Sequence, residues 1–278
     1  MTTTTSVGDM LRRWRQRREL SQLDLASEAD VSARHLSFVE TGRSVPSREM
    51  LLRLAERLEV PLRERNAMLL AAGYAPAFRE SGLSDPELHN AAHAIRVILS
   101  GHEPYPALAY DKHWTLIDAN QAMMRLLEGI ADELLRPPVN ILRAAMHPLG
   151  LASRILNLEE WRAYTLRRLE REIGLTDDAF LRDLFRELSG YEQPVATTPK
   201  SPFVAQGQAS YTGLVVRLQL AINGSALSFF SASTVLGTPV DITLSELAIE
   251  SFFPADDSTA IAMRELVPGT PYPTFGPN

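Results

Sequence analysis

Residues 20–46, LSQLDLASEADVSARHLSFVETGRSVP, have the spacing of two short helices joined by a tight turn. Ser21 is a good N-cap for the first helix, whose inward positions are Leu25 and Ala26. Ser32 caps the second, which turns Leu36 and Val39 inward. Gly42 supplies the left-handed residue that ends a helix, and Pro46 bars it from resuming. Asp30 stands in the turn, where a left-handed backbone is needed; Asp tolerates this better than most side chains, at the cost of a little strain. Such a pair is a helix-turn-helix. On its second helix Ser32, Ala33, Arg34, Ser37 and Phe38 fall away from Leu36 and Val39 and are the candidates to meet base edges in a DNA major groove. Gln22 and Arg43, at the borders of the motif, suit phosphates, which position the protein without specifying sequence.

The flanks complete an all-α domain. Val7, Met10, Leu11 and Trp14 recur at i, i+3, i+4 and i+7, one apolar stripe able to cover the pair. Ser47 caps a fourth helix with Leu51, Leu54, Ala55 and Leu58 inward, and Pro61 opens a fifth with Met68, Leu69 and Ala72. Taken together, LSQLDLA, VSARHLSFVETGR, VP and LLRLAERLEV make residues 7–72 resemble the Xre (lambda-repressor-like) helix-turn-helix family. Asp30 departs from the glycine usual in that family's turn.

The chain's net charge of −6 suits DNA poorly until it is divided. Residues 1–80 hold 13 arginines and no lysine against 11 acidic residues, a net of +2, and the remainder carries −8. Arg12, Arg13, Arg15, Arg17 and Arg18 lie together on the first helix and create a local positive field. The absence of cysteine excludes disulfides, thiolate zinc sites and thiol nucleophiles. No apolar run approaches the ~20 residues of a membrane span, and MTTTTSVGDM lacks an apolar signal core, so a cytoplasmic protein is expected.

Gly73, Pro76 and Gly82 mark a joint, and Asp85-Pro86 starts a connecting helix with Leu88, Ala91, Ala92, Ile95 and Leu99 on one face. His89 and His93 stand at a zinc-binding spacing there, but Asn90 replaces the glutamate a metalloprotease would need, and an exposed pair is expected. From Pro104, PALAYD and WTLIDAN form a hairpin around Lys112-His113, and Asn120 caps a helix carrying Met123, Leu126, Leu127 and Ile130. Helices follow around 150–173 and from Asp177. The strongest β signal is LVVRLQLAINGSALSFFSASTVLG, two strands about Asn223-Gly224, the favoured pair for a type I′ turn. That turn aligns Val216, Leu218, Leu220 and Ile222 with Ser231, Phe229, Leu227 and Ser225. The expected organisation is a helix-turn-helix domain at 1–75, a linker and connecting helix at 76–103, and an α+β domain with an antiparallel sheet at 104–278.

HEPYPALAYDKHWTLIDAN, NILRAAMHPLGLASRILNLEEWR and LSFFSASTVLGTPVDITLSELAIESFFPADD, in that order, make nearly the whole chain resemble the Xre regulators with an MmyB-like C-terminal domain of PAS-like fold. The resemblance implies a transcriptional regulator whose second domain holds a small apolar ligand, with a fatty acid or similar apolar acid favoured. Leu108, Tyr110, Trp114, Met123, Leu127, Leu142, Met146, Leu218, Leu220 and Phe229 are candidate walls, each equally at home in a core. Arg143 and His147, one helical turn apart, are candidates to clamp a carboxylate, with Arg154, Asn157 and Trp161 in reserve. No cofactor is expected besides this non-covalent ligand. Double-stranded DNA with a palindromic operator is the expected partner, and a homodimer the expected state, because one recognition helix reads few base pairs.

An enzyme is not expected. The chain lacks a glycine-rich phosphate loop and a G-x-S-x-G elbow, and the acidic residues Asp241, Glu246, Glu250, Asp256 and Asp257 read as a solvated face flanking a C-terminal helix or as partners for basic residues. The alternative to a sensor is a constitutive DNA-binding regulator whose second domain is a ligand-free dimerisation or protein-interaction module. A haem or flavin PAS domain is a more distant rival, and a thiol–flavin adduct is excluded.

Overall fold

The computed structural model describes residues 5–82, 85–192, 216–235 and 241–268. Residues Leu214, Val215, Leu236 and Gly237 of the expected hairpin lie outside them. The described residues divide into two compact units, one formed by residues 5–82 and Asp85 together with Gly174–Thr176 and a short helix, α11 (Ile242–Ser245), and the other by most of the remainder.

The first unit is built from α1 (Val7–Arg17), α2 (Gln22–Glu28), α3 (Ala33–Glu40), α4 (Arg48–Arg57) and α5 (Leu62–Ala71). Serines start four of them. The hydroxyls of Ser6, Ser21, Ser32 and Ser47 accept the N–H groups of Asp9, Asp24, His35 and Met50, and Asp24 answers Ser21 in a capping box. Asp30 and Gly42 are left-handed, at φ 52° and 73°, as the two turns require. Leu11, Trp14, Leu25, Leu36, Val39, Leu51, Leu54, Leu58, Met68 and Leu69 form one core. Each fully buried leucine there contributes about 1.5–3 kcal/mol through area removed from water.

The stretch expected as a linker divides between the units. Asn66 on α5 accepts the N–H groups of Ala77 and Phe78 and donates to the Phe78 carbonyl, fastening residues 77–78 to the helices. The connecting helix α6 (His89–Gly101) belongs to the second unit and packs Ile95 and Leu99 toward its sheet.

That unit continues with β1 (Ala107–Asp111), β2 (Leu116–Ala119), α7 (Gln121–Leu127), α8 (Ile141–Met146), α9 (Leu158–Thr176), α10 (Ala179–Ser189), β3 (Leu218–Ile222), β4 (Ser225–Val235), β5 (Leu247–Pro254) and α12 (Asp257–Leu266). The five strands form one antiparallel sheet in the order β2-β1-β5-β4-β3, in keeping with the α+β, PAS-like expectation. Asn223 and Gly224 both have positive φ, and Leu218, Leu220 and Ile222 pair with Phe229, Leu227 and Ser225, the register expected.

Four local expectations are corrected. The β5 stretch LAIESFFP is the central strand, not a flank of the C-terminal helix. Its run is apolar on both faces and lacks the alternation that announces a half-buried strand. The helix after Asn120 stops at Leu127, and left-handed Gly129 turns Ile130 back into the core from a loop. The strand after the first turn begins at Leu116, because Trp114 is left-handed (φ 63°) while the Asp111 carboxylate accepts the N–H groups of His113 and Thr115. Finally, α8 ends at Met146. Pro148 disfavours the helical conformation for the preceding residue, and His147 is extended.

Candidate nucleic-acid interface and ligand cavity

The helix-turn-helix shows a divided α3. Leu36 and Val39 are fully buried, while Arg34 is exposed and lies over the half-buried Phe38 ring, its guanidinium carbon 5.5 Å from the centroid. Phe38 thus supports an arginine that points outward. Ser37 is half-buried beside it, Ala33 packs partly on the core, and Ser32 is exposed with its hydroxyl engaged by the His35 N–H. Arg43 is exposed. His35, exposed in the first turn of α3, is a further candidate that no sequence signal singles out.

Beneath this face lies a polar knot. Glu40, almost fully buried, receives Arg15 through two bonds of 2.7 and 2.9 Å, and Arg15 also donates to the Leu20 carbonyl. Gln22, expected on a phosphate, directs its side-chain amide to Glu40 at 2.8 Å. Burial pushes the Glu40 carboxyl up, but the hydrogen bonds from Arg15 and Gln22 and the charges of Arg15 and Arg12 outweigh it, and the net direction is down. The arginine run is therefore not one outward field. Arg15 is structural, Arg18 donates to the Leu58 and Glu59 carbonyls, and Arg12 and Arg13 are exposed.

The second unit contains a cavity of about 100 Å³. Of the expected walls, Leu108, Trp114, Met123, Leu127, Leu142, Leu218 and Leu220 line it, joined by Leu116, Leu126, Val139, Ile141, Leu151, Trp161 and Phe252. Tyr110, Met146 and Phe229 are not among its lining residues and are buried in the core around it. Tyr110 stacks on Trp114 (4.7 Å, 11°), and Phe229 meets Phe252 edge to face.

The expected clamp is corrected. Extended His147 does not share a helical face with Arg143, and neither lines the cavity. Arg143 makes a forked pair with Glu187 at 2.7–3.1 Å, while Tyr191 donates to the same carboxylate. The Arg143 hydrogen bond holds the Glu187 carboxyl down against burial. His147 accepts the Leu149 N–H. Of the reserve set, Arg154 reaches the Leu126 carbonyl and Asn157 bonds the backbone of Arg217 and Gln219, which leaves Trp161 on the wall.

The cavity's charged groups are instead Arg168 on α9 and Glu250 on β5. Arg168 donates to Glu250 (3.2 Å), to the Tyr110 hydroxyl (2.6 Å) and to Ser233 Oγ (2.9 Å), and its guanidinium lies over the Trp114 ring at 4.5 Å. Ser233 and Tyr110 donate in turn to Glu250 at 2.5 and 3.3 Å. Glu172 accepts the Trp114 indole N–H at 3.0 Å and stands 3.5 Å from Arg168; burial pushes its carboxyl up. Burial and the neighbouring Glu250 also raise the Tyr110 hydroxyl, which stays protonated. Sequence reading missed Arg168 and placed Glu250 beside the C-terminal helix rather than at the cavity. Arg168 hides in the charged run RRLERE, whereas Glu250 carries a usable signal, a single acid inside the apolar strand AIESFF.

A helix-turn-helix unit followed by an α+β unit with an apolar cavity is the architecture of a DNA-binding transcription regulator with a ligand-binding domain. The chain belongs to the MmyB-like transcription regulators: the model of the MmyB-like transcription regulator ligand binding domain matches residues 91–266, and a helix-turn-helix model matches residues 11–65. No curated protein matches the chain. Among solved structures, "Structure of an RNA-binding Light-Oxygen-Voltage Receptor" is 14% identical with a TM-score of 0.25, a likeness too slight to inform fold or function. The match covers 95% of this chain, which spans 63% of the length of that one. Among the described residues no helix is long and apolar enough to cross a membrane.

Proposed function

We propose that this regulator acts in the cytoplasm as a homodimer on a palindromic operator, and that an apolar molecule in the cavity changes its affinity for that operator. The observation that carries the reading is one chain that combines an outward, aromatic-supported arginine on α3 with an apolar cavity whose lining includes the Arg168–Glu250 pair. Two recognition helices about 34 Å apart would read successive major grooves of a palindrome. The ligand works by population shift, through its differential affinity for two arrangements of the second unit.

The chain offers a direct route for that shift besides the connecting helix α6. Asp241 accepts the Ser81 N–H (3.1 Å), Thr243 donates to the Ser81 carbonyl (2.7 Å), and Ile242 N–H donates to the Arg79 carbonyl (2.8 Å), all within the first unit. Two residues after α11 the chain enters β5, the strand of Glu250. A ligand that displaces β5 pulls on a segment fastened to the DNA-binding unit. A fatty acid, favoured by the resemblance, suits the cavity wall through its chain, but the charged end offers its carboxylate no uncommitted arginine.

The constitutive alternative draws support from the cavity's size, about 100 Å³, below the ~300–1,000 Å³ usual for drug-sized ligands. The test begins with native and then denaturing mass spectrometry of gently purified protein, with organic extraction of what dissociates, and with selection of an operator from random DNA. The expected result is a bound apolar molecule whose removal and return alter operator affinity. Equal affinity of loaded and emptied protein removes the sensing role, and failure to enrich any sequence removes the operator.

A further inference from the structure

Resting on the reading of α3 as the recognition helix, we infer that His35 contacts a DNA phosphate as its imidazolium cation, so that binding takes up a proton and tightens as pH falls. Successive residues on a helix are about 100° apart around its axis. Arg34 and Phe38, one turn apart, mark the outward line of α3, opposite the buried Leu36 and Val39. His35 lies about 100° to one side of Arg34, and Ser37 about 100° to the other side of Phe38. In a major groove the outward line of a helix meets base edges, and its flanks meet the phosphodiester walls. Ser37 is half-buried, whereas His35 is exposed and long enough to reach a wall.

The ring is free for that role. The His35 backbone N–H is spent on the Ser32 hydroxyl, which fixes the first turn of α3, but the imidazole has no hydrogen bond or ion pair among the described residues. The acids of α3 and of the elements packed against it are placed otherwise. Asp9 on α1 and Asp24 on α2 accept from Ser6 and Ser21, Glu40 holds Arg15 and Gln22, and neither Glu28 on α2 nor Asp30 in the turn is bonded to the ring. The cations on these elements are Arg34, adjacent in sequence, and the arginines of α1, so the anion for the ring comes from DNA. An imidazole ordinarily titrates near pH 6.5, and an anion beside it favours the charged form. The charged ring then neutralises one more phosphate per protomer than the neutral ring does.

The experiment titrates the full-length protein against an operator selected from random DNA and against a random duplex of equal length. Affinity is read by the anisotropy of a pH-insensitive rhodamine label between pH 6.0 and 8.0, at several salt concentrations. Affinity for both duplexes is expected to rise about fivefold per protomer from pH 8.0 to 6.0, and the salt slope to steepen by up to about 0.9 per protomer. His35→Gln, which keeps a donor without the charge, is expected to lose this pH dependence. His35→Arg, a permanent cation, is expected to bind at pH 8.0 with the affinity and salt slope of the wild type at pH 6.0. Because the ring is exposed, all three proteins are expected to unfold at the same temperature. A wild-type affinity unchanged by pH, or a pH dependence that survives in His35→Gln, overturns the inference and leaves α3 as the recognition helix. A pH dependence confined to the operator makes His35 a reader of bases and overturns the phosphate contact. Failure to enrich any operator overturns the recognition-helix reading, while the random duplex still decides the contact.

Discussion

At the scale of single residues, charge is used in two opposite ways on the same helical unit. Arg34 is held outward by Phe38, whereas Arg15 is turned inward onto Glu40. Removing Glu40 leaves Arg15, whose side chain is 11% exposed, without its anion. Glu40→Ala is therefore expected to cost about 3 kcal/mol in urea unfolding, as for other buried pairs broken on one side. Because the folded-state pKa of Glu40 is depressed, its contribution is present above the ordinary glutamate value of about 4.3 and is lost as pH falls through the lower folded value. The wild-type protein should lose stability across that acid range more steeply than the alanine variant. On DNA the two outward arginines should separate. Arg34→Ala is expected to cost about 1–3 kcal/mol and relax sequence choice, while Arg43→Ala should weaken selected and random duplexes alike, as measured by fluorescence anisotropy.

At the scale of elements, two contacts hold the helices where the sites need them. Gly8 on α1 lies against the C-terminal turn of α3, where an added Cβ would stand 2.3 Å from the Val39 carbonyl oxygen. The obstacle is backbone and cannot swing aside. Gly8→Ala is expected to lower stability by about 1–3 kcal/mol and to weaken operator binding by disturbing the recognition helix, checked by thermal unfolding and a binding titration on the same sample. In the second unit Asn120 accepts the N–H groups of Ala107 and Met123 and donates to the Leu99 and Tyr105 carbonyls, so that one buried side chain joins α6, β1 and α7. Asn120→Ala leaves several buried backbone groups unpaired. It should cost about 3 kcal/mol and open the amides around Ala107 to hydrogen exchange.

At the scale of the molecule, the charge division sets the physics of DNA binding. The first 80 residues carry a net of +2 and the remainder −8, so attraction to phosphate is local and the bulk of the chain opposes it. Operator affinity should fall steeply with salt, by about a thousandfold between 50 and 200 mM if each dimer neutralises about six phosphates. Sedimentation is expected to give a dimer on the operator; a monomer both free and bound would sink the palindromic reading.

The helix-turn-helix and the 218–235 hairpin were legible in the sequence because local chemistry decides them. Serine caps, a left-handed glycine, an Asn-Gly turn and apolar spacing act within a few residues, and each specifies its element without help from distant parts of the chain. The seven leucine, methionine and tryptophan positions expected on the cavity wall were legible for the same reason, since side chains on one face of a strand or helix remain together. Long-range pairing decided the rest. β5 lies at the centre of the sheet only because β1 and β4 flank it, and no local pattern in LAIESFFP announces neighbours more than a hundred residues apart in the case of β1. Arg143 met Glu187 and Arg168 met Glu250 across 44 and 82 residues. A sequence shows that a charge is present, but which partner desolvates and neutralises it is fixed only when the chain has folded.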